Sequence, residues 1–270
     1  MTWRMYCGYE PFTIRIDVET QQPQTIMLKV YDEKLSNTVF TNRFMVITGK
    51  KSFFVRMPLT GLVAVIDIYN EINGNTKSDS SFKVTNIVKV PLTRKMDVVD
   101  LRNPDIKSYI KFSRRFCFNA GVAPTRTYNS SDGRFSIIYS PKIVSSESGK
   151  VLNTPARINK DTGQIEVAQD KFLTMTVPMR MAILLHEFSH FYLNAEINDE
   201  TEADKNALMI YLGLGYPRIE ACEAFLDTFI KSSQGPTPLT EEQLAVNSRR
   251  YNIIHKYIQD FEKNNLFFKD

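Results

Sequence analysis

Cysteine and histidine are both scarce in this chain of 270 residues, which contains three of each. Cys7, Cys117 and Cys222 are far apart and form no C-x-x-C pair, so the sequence excludes a disulfide framework and a cysteine-based zinc site. Unpaired cysteines at such spacings indicate a reducing compartment. The histidines are more informative, because His186 and His190 lie four residues apart.

Long apolar runs and a strong charge of one sign are also missing. No stretch reaches the roughly 18 to 20 apolar residues of a membrane helix, and the N-terminal residues lack the apolar run of a signal peptide. The formal net charge of +4 is small and spread along the chain, so nothing indicates a nucleic-acid partner. We therefore expect a cytoplasmic protein that binds neither a membrane nor a nucleic acid.

The first third of the chain alternates in hydrophobicity with the period of two that β-strands show. In residues 12–18 the apolar side chains alternate with polar ones. Similar apolar segments, which also predict strands, are 26–30, 39–47, 53–57, 62–69 and 82–90. About six or seven short strands separated by turn signals predict an antiparallel β-sandwich. We assign residues 1–95 to this domain, interpret it as a docking or structural domain, and find no catalytic pattern in it.

Residues 96–270 predict a second domain in which helices surround a few strands, so the predicted fold class is α+β. Asn103 and the proline after it predict a helix start. The segment 123–133 reads as a loop, and residues 160–163 predict the turn of a hairpin. We expect one of the strands around Ile165–Ala168 to form a sheet edge that an extended peptide could join.

The motif HEFSH marks the candidate site. On a helix, residues four apart lie on one face, so His186 and His190 can bind one metal ion while Glu187 lies beside it. Zinc requires this spacing for two nitrogen ligands and a carboxylate that can take a proton from the metal-bound water. We expect the helix to begin near Thr176 and to run to about Asn194.

A catalytic zinc usually has three protein ligands, and three carboxylates are candidates for the third. Glu200 and Asp204 lie on one helical face, whereas Glu202 points almost oppositely from both. Asp199 and Glu202 fit a capping box, which gives Glu202 a structural role and favours Glu200 as the ligand. Asp204 could accept the free N–H of a zinc-bound histidine. Glu196 and Glu202 remain alternatives for the third ligand.

HEFSH followed by ETEADKNAL resembles the gluzincin pattern HExxH…ExxxD. It is similar to the ExxAD segment of the HtpX-type membrane peptidases and to the ExEAN segment of the ImmA/IrrE peptidases. By this resemblance His186, His190 and Glu200 correspond to the ligands of Zn2+, and Glu187 to the general base. The likeness covers about 25 of 270 residues, with only nine residues between His190 and Glu200 and without those families' membrane spans or DNA-binding module. It implies a zincin-like domain for residues 96–270.

We therefore predict a zinc-dependent metallopeptidase that hydrolyses the peptide bonds of a protein or peptide substrate with a zinc-activated water. A β-domain joined to an HExxH module is also similar to the zincin-like structural proteins in virions of crAss-like tailed phages. This second resemblance implies the alternative: a structural or assembly protein of a virion, for example a connector or tail ring component. Its site would have vestigial or no proteolytic activity, and its partners would be neighbouring subunits.

The C-terminal region predicts a lobe of packed helices. Three side chains on its last helix, Arg250, Tyr251 and His255, are candidates for stabilising the oxyanion opposite the zinc. For His255 a structural role is the favoured interpretation.

Overall fold

The computed structural model describes residues 1–8, 10–57, 61, 63–70, 82–91, 103–193, 199–226, 228 and 240–265. The chain divides into an N-terminal unit, Met1–Leu92, and a C-terminal unit, Thr93–Asp270. An antiparallel sheet comes first, and helices with a second, small sheet follow. The α+β class predicted from the sequence is therefore confirmed.

The described part of the N-terminal unit contains one antiparallel sheet of five strands in the order β1-β4-β2-β3, with β5 pairing on β2. Its strands are β1 Thr2–Tyr6, β2 Phe12–Asp32, β3 Val39–Met57, β4 Val63–Asn70 and β5 Phe82–Pro91. Apolar side chains alternate along β2 and are buried from Phe12 to Val30, which builds the core of this unit. The antiparallel architecture follows the predicted alternation, but β1 has no counterpart among the predicted strands.

The prediction of six or seven short strands is wrong, because β2 and β3 each join two of the predicted segments. The register of their pairing shifts between Thr20 and Gln24, where Thr20 pairs with Gly49 and Gln24 pairs with Ile47. Pro23 lies in this bulge, where its missing N–H removes no ladder hydrogen bond. Gly49 supports the bulge with a φ of 68°, a conformation that favours glycine. A turn signal in the sequence thus became a bulge within a continuous strand.

The described part of the C-terminal unit contains a sheet of four strands in the order β6-β7-β9-β8. These strands are β6 Arg126–Asn129, β7 Ser136–Ser140, β8 Ala156–Ile158 and β9 Ile165–Ala168. β7 and β9 are parallel, and the outer pairs are antiparallel. β6 lies in the segment 123–133, which the sequence predicts as a loop. It forms a strand because pairing with β7 compensates for its weak alternation of apolar and polar residues.

Of the strands around Ile165–Ala168, among which the sequence predicts an edge, β9 itself is not the edge strand. It pairs with β7 on one side and with β8 on the other, and three of its four residues are buried. An interior strand whose faces are both buried has a nearly continuous run of apolar residues, as β9 does. Among the described strands, the edge on this side of the sheet is β8, with Ala156–Ile158.

The helices are mostly capped as the sequence predicts. They are α1 Pro104–Asn119, α2 Gln169–Phe172, α3 Val177–Phe188, α4 Glu200–Gly213, α5 Arg218–Leu226 and α6 Glu241–Asn265. The side chain of Asn103 accepts hydrogen bonds from the first turn of α1, as predicted. Thr240 and Gln243 exchange hydrogen bonds as a capping box at the start of α6.

Helix α3 lies at the centre of the C-terminal unit and packs against α1, α4, α5 and β8. Its residue Arg180 is fully buried and donates to the carbonyl of Phe172 at 2.8 Å and to that of Cys117 at 2.9 Å. These carbonyls lie at the ends of α2 and α1, where helices leave backbone acceptors without intrahelical partners. Arg180 therefore fixes α3 against both helix ends. No helix among the described residues is long and apolar enough to cross a membrane.

Candidate metal centre

The helix that carries the motif begins at an N-cap residue, Thr176, whose hydroxyl both accepts and donates a hydrogen bond. The hydroxyl of Thr176 accepts from the backbone N–H of Met179 at 3.3 Å and donates to the carboxylate of Glu220 at 2.6 Å. Glu220 is almost completely buried on α5. The cap therefore satisfies a free N–H of the first turn and links α3 to α5. The predicted start of the motif helix near Thr176 is confirmed.

An aromatic cluster packs around the C-terminal end of α3. The hydroxyl of Tyr109 donates to the carbonyl of Leu184 at 2.7 Å. Its ring stacks on Phe188 with 4.1 Å between the ring centroids, and Phe135 and Tyr192 pack around this pair. Because these rings are large and rigid, they restrict how α3 can rotate or shift.

The motif ends in a wider turn. The α-helix stops at Phe188, and Ser189–Leu193 continue as a π-helical turn that contains His190. The hydroxyl of Ser189 donates to the carbonyl of Leu185 at 2.8 Å and so satisfies a backbone acceptor near this transition. Single π-helical turns inside helices are frequent at functional sites. The predicted end near Asn194 lies outside the described residues.

Three donor atoms converge beside the motif. The Nε2 atoms of His186 and His190 are 3.1 Å apart. Glu200 places its Oε2 atom 3.3 Å from Nε2 of His186 and its Oε1 atom 3.5 Å from Nε2 of His190. These residues form the one group in the described part of the chain in which three His, Cys, Asp or Glu side chains could hold a metal ion.

These spacings fit zinc. Ligand atoms about 2.0–2.1 Å from a tetrahedral zinc ion lie about 3.3–3.4 Å from one another. The two histidine nitrogens are 3.1 Å apart, and the carboxylate of Glu200 lies 3.3 Å from one of them through Oε2 and 3.5 Å from the other through Oε1. The carboxylate therefore spans the two nitrogens at distances close to that value. Two imidazole nitrogens and one carboxylate oxygen form a common ligand set of catalytic zinc and leave a fourth position open.

Glu200 is the first residue of α4, and the predicted cap positions it. The side chain of Asp199 accepts from the backbone N–H of Thr201 at 2.8 Å, which starts the helix directly before Glu200. Glu202 is exposed and pairs with Lys205 at 2.7 Å, so its carboxylate neither joins the histidines nor completes the predicted capping box. The remaining alternative, Glu196, lies outside the described residues.

Asp204 lies where its predicted role requires. Its Oδ1 atom is 2.8 Å from Nδ1 of His186, the ring nitrogen that faces away from the candidate metal position. The side chain of Asp204 is completely buried. A carboxylate behind a metal-binding histidine fixes the ring orientation and raises the basicity of the ligand.

The electrostatics of the centre favour a cation. Burial lowers the pKa of His186, but Asp204 and Glu200 outweigh this effect and raise it to about 10. The contacts of Glu200 with His186 and His190 hold the pKa of Glu200 well below its ordinary value. The carboxylates therefore stabilise positive charge on His186, and a dication at the same position would meet the same favourable potential.

Glu187 lies in the same cavity on the side of β8. Burial raises the pKa of Glu187, while His186, His190 and a hydrogen bond from the backbone N–H of Ile158 oppose this shift. A carboxyl group that can change its charge in a largely dry site is suited to proton transfer. Its position beside the donor atoms agrees with the predicted role as general base, which stays a prediction.

The cavity has a volume of about 420 Å3 and lies entirely within the C-terminal unit. Its polar wall contains the two histidines with Glu187 and Glu200, and Ile183 and Phe225 contribute apolar surface. Of the three predicted oxyanion candidates only Arg250 lines this cavity. His255 is exposed on α6 and stacks on Tyr251 instead.

Comparison of the chain with protein-family models, with curated proteins and with solved structures finds no match. The resemblance to gluzincins and that to phage structural proteins therefore stay predictions based on the residues.

Several supporting residues escaped the sequence analysis. Tyr109 and Arg180 act through contacts more than 60 residues away, and neither belongs to a local motif. Gly163 was recognised only as part of a hairpin turn. In the structure this turn lies against the π-helical turn, since Tyr192 donates from its hydroxyl to the carbonyl of Gly163 at 3.0 Å.

We expect Gly163→Ala to destabilise the protein more than Gly149→Ala does. Both glycines have a positive φ, 69° at Gly163 and 65° at Gly149, so both substitutions carry a backbone cost of roughly 1–2 kcal/mol. A Cβ atom at Gly163 would also lie 2.5 Å from the hydroxyl of Tyr192 and 2.8 Å from the ring of Phe191. At Gly149, apart from the adjacent residues in the chain, no atom of the part of the chain that the structure describes lies within 4 Å of such a Cβ. This overpacking adds about 1–3 kcal/mol.

Thermal unfolding of both variants measures the difference. Equal melting temperatures would show that the hairpin turn does not depend on its close contact with the π-helical turn.

Proposed function

We propose that this protein is a zinc-dependent metallopeptidase whose centre is built by His186, His190, Glu200 and Glu187. The observation that carries the proposal is the convergence of two imidazole nitrogens and one carboxylate, whose ligand atoms lie within 4.8 Å of one another, with a buried carboxyl group in the same cavity. A structural histidine pair would need neither the carboxylate of Glu200 nor the carboxyl group of Glu187 beside it.

The residues divide into distinct roles. His186, His190 and Glu200 would hold the metal, and Asp204 orients the ring of His186 from behind. A zinc ion bound there would act as a Lewis acid that polarises a peptide carbonyl and lowers the pKa of water. Glu187 would take a proton from the attacking water and return it to the leaving amine, because its carboxyl group is buried, lines the cavity and is not assigned as a ligand.

The edge strand β8 offers a place for an extended substrate. The Pro155 carbonyl and the Asn159 N–H both bond to the β9 side of the hairpin, at 2.9 and 2.8 Å. In an antiparallel ladder alternate residues point the other way, so the backbone groups of Ala156 and Ile158 face away from β9. There the Ala156 carbonyl accepts from the hydroxyl of Thr154 at 2.7 Å and the Ile158 N–H donates to Glu187, so a substrate would pair through the Ala156 N–H and the Ile158 carbonyl. Both residues line the cavity beside Glu187. A peptide paired with this edge would place its backbone next to the candidate metal position.

Metal analysis and a cleavage assay test this proposal together. We expect one zinc ion per chain after purification without chelator, measured by elemental mass spectrometry. We expect the zinc-loaded protein to cleave members of a peptide library, and chelation to stop the cleavage until zinc is restored. A protein that binds no zinc at neutral pH would contradict the proposal.

A structural or assembly function is the second candidate. The N-terminal unit favours this function. The candidate metal ligands found among the described residues all belong to the C-terminal unit, so a role in assembly would account for the N-terminal sheet. This unit also presents the apolar side chains of Phe44 and Val46 on its long outer strand β3. A large, regular assembly in sedimentation measurements, without cleavage of any library peptide, would support this role over the peptidase.

A further inference from the structure

We infer that Arg250 is a positioning residue of the metal centre, which holds Glu200 and Asp204 in the orientation that metal binding requires. The inference rests on the proposed metal-dependent function and deepens it. It makes helix α6 a part of the centre, although Arg250 is 60 residues away from His190 in the sequence.

The contacts of Arg250 reach both carboxylates that serve the histidines. Its Nε and Nη2 atoms lie 2.5 and 2.9 Å from the two oxygens of Asp204, a bidentate arrangement. Nη2 also lies 3.0 Å from Oε2 of Glu200. The planar guanidinium thus bridges Glu200, the third ligand, and Asp204, the carboxylate behind His186. Bidentate pairs of this kind are stronger and more directional than single contacts.

The charges explain why this bridge is needed. Asp204 is completely buried, and a buried carboxylate without a partner is strongly unfavourable. Glu200 has a half-exposed side chain, with 53% of its surface accessible, so packing alone does not restrict its rotamers. Arg250 therefore neutralises the charge of Asp204 and restricts the side-chain rotamers of Glu200.

Helix α6 is anchored so that Arg250 can act in this way. The side chain of Arg250 is only 14% exposed and lines the cavity, as does Asn247 one turn before it. Ile254 and Ile258, on the following turns, are buried, and α6 packs against α4, which carries both carboxylates. The guanidinium is thus held by the helix behind it as well as by its partners.

This geometry differs from an oxyanion-stabilising role, the one predicted from the sequence. Nε and Nη2 are directed at carboxylates of the protein, whereas an oxyanion donor must point at the substrate. The effect of Arg250 should therefore appear in metal binding, without any substrate present.

The test compares zinc affinity among variants by competition with a chromophoric chelator. We expect Arg250→Met to weaken zinc binding by about 10–100-fold, the range seen when outer partners of metal ligands are removed. Arg250→Lys should weaken it less, because an ammonium keeps the charge but cannot make the bidentate contact. The visible absorption spectrum of Co2+ bound in place of zinc should change in both variants, since it reports the ligand geometry.

Two controls separate this role from a general structural one. Arg249→Met removes the exposed arginine next to Arg250 and should leave zinc affinity and the cobalt spectrum unchanged. Ile254→Val loosens the packing of α6 without touching the guanidinium, so it should lower the melting temperature but not the zinc affinity.

Wild-type zinc affinity in Arg250→Met would overturn the inference, as would equal losses of affinity in Arg250→Met and Ile254→Val. If Arg250→Met does not fold, Arg250→Lys decides: an unchanged affinity and cobalt spectrum would overturn the inference. Absence of zinc from the wild-type protein would instead overturn the proposed centre itself.

Discussion

Replacing Glu187 with glutamine should reduce peptide cleavage by about 10²–10⁴-fold, the contribution of a well-placed general base or acid. Glutamine has nearly the same shape as glutamate but cannot accept and return a proton. Because His186, His190 and Glu200 supply the converging donor atoms, the variant should still bind one zinc ion per chain. The measurements are kcat/KM on a cleaved library peptide and zinc content by elemental mass spectrometry.

The retained zinc is the internal control of this experiment. Loss of both zinc and cleavage would show that Glu187 is needed for the centre itself, which contradicts its assignment as a base alone. Cleavage at the wild-type rate would mean that another group transfers the proton or that the activity belongs to a contaminant. Absence of cleavage in both proteins, with zinc bound in both, would favour the structural role.

The sequence analysis selected three side chains that the structure brings together, because these residues are close together in the chain. The spacing of His186 and His190 on one helix follows from helical geometry alone. The choice of Glu200 over Glu202 rested on a capping box between Asp199 and Glu202. The structure places the cap at Asp199, but Glu202 pairs with Lys205 and does not complete the box. Within such a short segment, local rules determine which side chains share a face.

Arg250 shows where local reasoning stops. It was recognised as a candidate because it lies on the last helix, but its partners could not be identified. The contact with Asp204 spans 46 residues and depends on how α6 packs against α4. Tyr109 is a similar case, because the carbonyl it contacts belongs to Leu184 on another helix. Such contacts follow from tertiary packing, which periodicity does not encode.

The errors in the sheets have a common physical origin. Pro23 and Gly49 are turn-forming residues, but they also fit a bulge between two long strands that pair along most of their lengths. The edge of the second sheet was expected among the strands around Ile165–Ala168 without a choice between them, because hydrophobicity reports burial, not the order of strands. Strand order depends on pairing between distant segments, and the three residues of β8 are too few to show a pattern.

The second large effect concerns the third ligand. We expect Glu200→Gln to lower zinc affinity by more than about 100-fold, beyond the range for residues that only support ligands. The amide oxygen of glutamine is a much weaker zinc ligand than a carboxylate and carries no charge. Because Glu200 pairs with His186, His190 and Arg250, its substitution should also lower the melting temperature of the zinc-free protein. Competition titration and thermal unfolding measure the two quantities.

Glu202→Gln is a closely matched control. Its side chain is 51% exposed against 53% for Glu200, and both residues lie in the first turn of α4. The two substitutions therefore remove the same charge from the same helix end and differ only in where the carboxylate points. Equal zinc affinities in the two variants would contradict Glu200 as the ligand. A selective loss in Glu196→Gln would then assign the third ligand to that residue, because it is the remaining carboxylate between His190 and α4 that the sequence proposes.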